Sequence, residues 1–197
     1  MPAKKRIQKQ DILDAAAQVI RKGGASSLSM RNIAKELGCS TQPLYSEFGS
    51  QERLYEALPG YLRQEYLSVP QGGYRDFGRA FLRFAGKEPE LFRFLYLCRR
   101  APEETRMEDV NLERTLDLLV DSLEMDREQA GEMHRQMQHF CYGLGTMIAT
   151  GYRTMDQAEI DGELTVFFAL LLRHYKHASD ETTLAYWMER SRNPKLG

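Results

Sequence analysis

The residues best suited to chemistry lie between Ser29 and Phe48, in the run S-M-R-N-I-A-K-E-L-G-C-S-T-Q-P-L-Y-S-E-F. Ser40, Thr41, Gln42, Tyr45 and Ser46 are short polar or flat groups where an ordinary surface helix carries more Lys and Glu. Such groups hydrogen-bond to phosphate oxygens and to base edges. Nothing in the chain points to catalysis: there is no glycine-rich phosphate loop, no acid–base constellation and no nucleophile elbow, so no enzyme activity is expected. His134 and His139 lie on different helix faces. His174 and His177 share a face, but no carboxylate or cysteine joins them at ligand spacing, so neither a metal nor a cofactor is expected. Cys39, Cys98 and Cys141 are odd in number and far apart, and form neither a disulfide framework nor a zinc spacing.

The elements that must carry the polar run are helical. Ile33, Ala34 and Leu37 form one short apolar stripe, with Ser29 as its N-cap. Gly38 permits the positive φ of a tight turn. Ser40-Thr41 offers a second N-cap, Pro43 fits a first helical turn, and Leu44 and Phe48 share a face. Two short helices meeting across a glycine turn with apolar residues only on their facing sides make a helix-turn-helix, whose second helix enters the major groove. An ordinary helical hairpin satisfies the same spacing, so the pattern alone leaves both open.

The rest of the chain is periodic at helical spacing. Ile12, Ala15, Ala16, Val19 and Ile20 make a buried stripe ended by Gly23-Gly24. Ser50 caps a fourth helix carrying Leu54, Leu58 and Leu62, in which Pro59-Gly60 predicts a kink or a break. Phe77, Phe81, Phe84 and Ala85 lead to Pro89, the first residue of a helix apolar nearly all round. Stripes over 112–123, 133–148 and 164–175 follow, with a short helix around Leu184 to Met188. In the 164–175 stripe, Val166, Ala169 and Leu170 add apolar surface off the main face, which a dimer would cover and a monomer would not. No strand pair or repeat is evident.

The composition suits a soluble globular protein: of 197 residues, 42% are hydrophobic and 28% charged. No apolar run reaches the ~20 residues of a membrane span. The first residues, Met-Pro-Ala-Lys-Lys-Arg, run into polar sequence and not an apolar leader, so a reduced, cytoplasmic setting is expected. The net charge of −1 divides unevenly, with an excess of basic residues before residue 55 and of acidic residues after it. A polyanion would therefore meet the front third.

The runs Ile12-Leu13 with Ala15-Ala16, Leu28-Ser29-Met30-Arg31-Asn32-Ile33-Ala34, Leu37-Gly38-Cys39-Ser40-Thr41-Gln42-Pro43-Leu44-Tyr45 and Phe48-Gly49-Ser50-Gln51-Glu52-Arg53-Leu54 resemble the N-terminal domain of TetR-family transcriptional regulators. The resemblance implies an all-α protein: a three-helix helix-turn-helix DNA-binding domain over 1–50, with its motif at 29–48, then a helical regulatory and dimerisation domain over 51–197. It implies phosphate contacts from Ser29 and Arg31, base reading by Thr41, Gln42 and Pro43 beside Ser40 and Ser46, and Tyr45 against the DNA backbone. Lys4, Lys5 and Arg6 would form a basic arm. Glu47 and Gln51 stand where the family often has His and Lys.

The implied partners are a double-stranded palindromic operator, a second copy of the chain and a small apolar or aromatic effector, with no membrane. The implied role is that of a repressor. An effector-free DNA-binding regulator and a helical ligand-binding or scaffold protein with weakened DNA contacts are the alternatives. Aromatic stripes at helical spacing are ordinary core; a ligand pocket among them would draw on Tyr61, Phe81, Phe84, Phe94, Met137 and Phe140. The dimer seam would draw on Leu144, Ile148, Phe167 and Leu170.

Overall fold

Each apolar stripe folds as a helix in the computed structural model, which describes residues 7–98 and 108–192. The described residues form ten α-helices and no strand: α1 (Lys9–Gly23), α2 (Met30–Glu36), α3 (Gln42–Phe48), α4 (Gln51–Leu67), α5 (Tyr74–Lys87), α6 (Pro89–Tyr96), α7 (Leu112–Leu123), α8 (Arg127–Ala149), α9 (Gln157–Tyr175) and α10 (Glu181–Arg192). A 3-10 turn, Ala25–Ser27, precedes α2. No described helix is long and apolar enough to cross a membrane.

The helices sort into two compact units, the first drawing on residues 7–66 and 88–98, the second on 67–87 and 108–192. In the first unit, Ile12, Ala16 and Ile20 bury one face of α1 completely. Asp11 in its first turn and Arg21 and Lys22 in its last complement the helix dipole. Helix α6 packs on α1 and on the 3-10 turn, with Leu91 and Phe92 fully buried. Arg21 fixes that packing: its guanidinium forks onto Glu88 at 2.6 and 2.8 Å and also donates to the Tyr66 hydroxyl. The first unit therefore extends past residue 50 and is discontinuous in sequence.

Helix α4 runs through Pro59 without interruption, so the expected break does not form. Proline removes one ladder hydrogen bond, a cost of ~3 kcal/mol in an exposed helix. Here Leu54, Leu58 and Leu62 are fully buried along one face, and that burial holds the turns on either side in register.

The second unit is built on α5 against α8, with α7 and α9 flanking them and α10 lying on α7 and α9. Asp126 caps α8 and Asp156 caps α9, the latter in a reciprocal box with Glu159. Helices α5 and α9 approach closely at Gly78, where an added Cβ would lie 2.9 Å from the Leu164 side chain. A polar network is buried within this core. His134 bonds Asp109 through Nε2 at 2.9 Å and the Tyr74 hydroxyl through Nδ1 at 3.3 Å, while Gln138 donates to Asp109 at 3.0 Å. Burial pushes the Asp109 carboxyl up, but the hydrogen bonds from His134, the Asn111 N–H and Gln138 outweigh it and hold the group below the usual range.

Candidate nucleic-acid interface

Helix α2 begins where the Ser29 hydroxyl accepts the Asn32 N–H at 3.2 Å. It ends where the Leu37 N–H reaches Ile33 O and the Cys39 N–H reaches Ala34 O, both at 3.0 Å. Gly38 sits between them at φ +65°, with open space around it, so backbone conformation and not crowding requires glycine. Helix α3 then leans on α1. Ile33 and Leu44 are fully buried and Phe48 is nearly so, and these anchors leave the opposite faces of α2 and α3 in solvent.

Thr41 precedes α3 but does not cap it through its side chain. Its backbone is already helical (φ −73°, ψ −13°), whereas a capping hydroxyl needs an extended backbone to reach back to the helix N–H groups. The hydroxyl stays available to an outside partner. Gln42 and Ser46 are exposed along α3, and so is Tyr45, at 47%. Pro43 is half-buried, as is Ser29, whose hydroxyl can still donate a hydrogen bond. A shallow concavity of about 580 Å³ gathers Arg31, Ser40 and Thr41 with Asn32, Lys35 and Cys39.

Lys35 was missed by the sequence reading, yet its signal was present: it is exposed four residues after Arg31, on the same side of α2. Lys9 adds a cation near the end of α3, its Nζ 5.7 Å from the centre of the Phe48 ring. Lys22, by contrast, is paired with Glu36 at 2.6 Å. Lys4, Lys5 and Arg6 lie outside the described residues. The surface thus presents cations and hydroxyls suited to phosphate; of its two primary amides, Asn32 already donates to Ser27 O at 2.7 Å, and Gln42 on α3 suits the paired donor and acceptor of adenine.

Residues 12–58 match the family described as bacterial regulatory proteins, tetR family. These residues form a TetR-family domain. The fold is similar to that of a TetR-like transcriptional regulator from Rhodococcus sp. RHA1, with a TM-score of 0.56 and 22% identity over 88% of this chain and 98% of that one. It is equally similar to apo ActR from Streptomyces coelicolor, with a TM-score of 0.56 and 18% identity over 96% of this chain and 98% of that one. No curated protein sequence matches the chain.

Around the TetR-type domain, the two departures from the family pattern are both half-buried. Gln51 opens α4, and Glu47, near the end of α3, interacts within the chain. The residues expected to line a pocket are divided between the two units. Tyr61 and Phe94 belong to the first unit, where Tyr61 donates its hydroxyl to Asp14 and accepts from Gln10. Of the four in the second unit, Met137 lines the cavity of about 310 Å³ among the described residues. Phe84 is buried, while Phe140, stacked on Phe167 with ring centres 4.2 Å apart, and Phe81 pack half-buried against the core of the second unit.

The four residues expected at a dimer seam also separate. Leu144 is buried within its own chain, Ile148 and Phe167 are half-buried against that core, and Leu170 is 56% exposed. Val166, one turn earlier on α9, is 62% exposed. The apolar surface expected off the main stripe of this helix is therefore present at Val166 and Leu170.

Proposed function

We propose that this chain is a cytoplasmic, homodimeric transcriptional repressor of the TetR type that reads a palindromic operator and is released by a small-molecule effector. The observation that carries the reading is a coincidence of position. The residues matching the tetR family, 12–58, include the two helices on which Arg31, Lys35, Gln42 and Tyr45 all stand exposed. In this reading Arg31, Lys35 and Tyr45 contact phosphates and fix the register of α3, and Gln42 with Thr41 reads base edges. Two copies of the domain engage half-sites about one helical turn apart, ~34 Å. The exposed Val166 and Leu170 on α9 supply the apolar seam between copies. An effector that favours the conformation with the heads wrongly spaced lowers operator affinity by its differential affinity for the two states.

Selection of bound sequences from a random duplex library with the full chain tests this reading. The expected product is a palindrome with two half-sites whose preference at one base pair each is relaxed in Gln42→Ala. Binding with no sequence preference, or no binding at low salt, overturns it. Glu47 and Gln51, which lower the positive charge beside the expected phosphate contacts, favour a second reading: a helical ligand-binding or scaffold protein with weakened DNA contacts. Absence of binding even at low ionic strength, where phosphate contacts are strongest, is the outcome that selects it.

A further inference from the structure

Among the described residues, the second unit holds a cavity of about 310 Å³ between the start of α5, the middle of α8 and α9, and the end of α10. Two glycines help to shape it. Gly73 leaves the mouth open beside the Ser191 carbonyl, and Gly78 lets α5 and α9 approach where any side chain would meet Leu164. The inner wall is apolar and aromatic: Tyr74 and Phe168, with ring centres 5.4 Å apart, Leu164 and Met137, all buried. Cys141 lies just behind Gly78, and its thiol is pushed up to about 12 by burial, which leaves it an inert packing group.

The rim carries three arginines in two different states. Arg79 is fully engaged: Nε and Nη2 fork onto Asp161 at 2.6 and 2.9 Å, and Nη1 reaches Asp76 at 3.0 Å. Asp76 in turn accepts the Gly73 N–H at 2.9 Å, so both carboxylates are held in place. Arg75 is half-buried and has no hydrogen bond or ion pair with any described residue. Arg192 has only a loose contact with Glu189 at 3.7 Å. Burial, then the nearby charges of Arg192 and Arg79, push the Arg75 guanidinium down in spite of Asp161 and Asp76. The charge at Arg75 is thus under-compensated, the condition in which an incoming anion gains most.

We infer that this cavity takes a small organic acid whose aromatic or aliphatic body lies on Tyr74, Phe168, Leu164 and Met137 and whose carboxylate pairs with Arg75 and Arg192. The inference rests on reading the second unit as effector-binding and names the chemical class of the effector. The volume falls at the low end of the ~300–1,000 Å³ typical of ligand pockets, which suits a one- or two-ring acid. Arg79 is a positioning residue: pinned on Asp161, it keeps a cation beside Arg75 without itself being available to ligand.

Calorimetric titration of the full chain with 2-naphthoate and with its neutral counterpart 2-naphthamide tests the assignment. The acid is expected to bind ~10- to 100-fold more tightly than the amide, the margin of a charge-assisted pair over a neutral one. Arg75→Met should erase that margin while leaving the amide unaffected, and Arg75→Lys should restore part of it. Arg83→Gln, on the same helix but outside the cavity, should leave both affinities unchanged. Melting of the ligand-free variants separates a lost ligand contact from a lost fold. Equal affinity for acid and amide, indifference of the acid to Arg75→Met and Arg192→Gln, or no binding of 2-naphthoate at millimolar concentration overturns the inference. Occupancy of a selected operator, measured in the same titration, isolates the underlying reading. Acid binding through Arg75 that leaves DNA occupancy unchanged keeps the anion site and removes effector control.

Discussion

The candidate interface of the first unit and the cavity of the second are assembled in opposite ways. Every described interface residue but Lys9 falls within the run 29–48, and their side chains point outward from two short helices whose inner faces do the packing. The cavity draws on four helices and on residues from Gly73 to Arg192, and its inner wall is also the core of the unit. At the interface, function and stability fall on different faces of the same helices and can be changed separately. On the inner wall of the cavity they fall on the same side chains, so a substitution there that reshapes the space for ligand also alters packing.

The largest expected effect tests whether the interface works alone or only in pairs. Leu170→Glu changes a residue already 56% exposed, so the chain should fold normally. If α9 forms the seam, sedimentation should report a monomer, and operator affinity should fall by about 10²- to 10⁴-fold as two linked heads become independent. A dimer of ordinary stability would place the seam elsewhere. Phe92→Ala tests the extent of the first unit. This fully buried α6 side chain should cost about 3–5 kcal/mol of stability, and hydrogen exchange should show α1 loosening with it. Protection of α1 unchanged by the substitution would detach α6 from the first unit.

Gln42→Ala separates reading from holding. Specific binding should weaken by about 1–3 kcal/mol, with relaxed preference at one base pair per half-site. Equal loss on every sequence would reduce Gln42 to a positioning role. The smallest effect belongs to Gln51→Lys, which adds a cation at the start of α4. The slope of log affinity against log salt should steepen by about 0.9 per half-site if the new charge meets a phosphate. The gain in affinity should be a few tenths of a kcal/mol, because a cation at a helix N-terminus opposes the dipole. An unchanged slope would put that position outside the contact surface.

The same contrast explains what the sequence revealed. Most helix positions were legible because an apolar stripe marks one face, whereas α6 is apolar nearly all round and α10 buries no residue fully and runs longer than its apolar positions suggest. The exposed row on α3 was legible because Leu44 and Phe48 fix which way it faces. The pocket was not. A buried aromatic stripe records that a side chain points inward and not what it meets there: Phe140 meets Phe167, Phe84 is buried, and Met137 lines a cavity. The arginines of the cavity rim carry no sequence signal, because Arg75 and Arg192 lie on α5 and α10, far apart in the chain. The break expected at Pro59 did not form because its local cost is set against the burial on either side of it. The packing of α6 on α1 was not legible because the Arg21–Glu88 fork that fixes it joins residues 67 apart in sequence.

The placement of α6 has a genetic consequence. A stop codon between residues 67 and 88 would release a chain that contains the whole TetR-type segment but lacks Glu88, Leu91 and Phe92. Arg21 would lose its carboxylate and the apolar face of α1 its cover. Such a fragment should be cleared by proteases before it can occupy an operator. Truncating mutations in this stretch are therefore expected to behave as recessive nulls, never as fragments that compete with the intact protein.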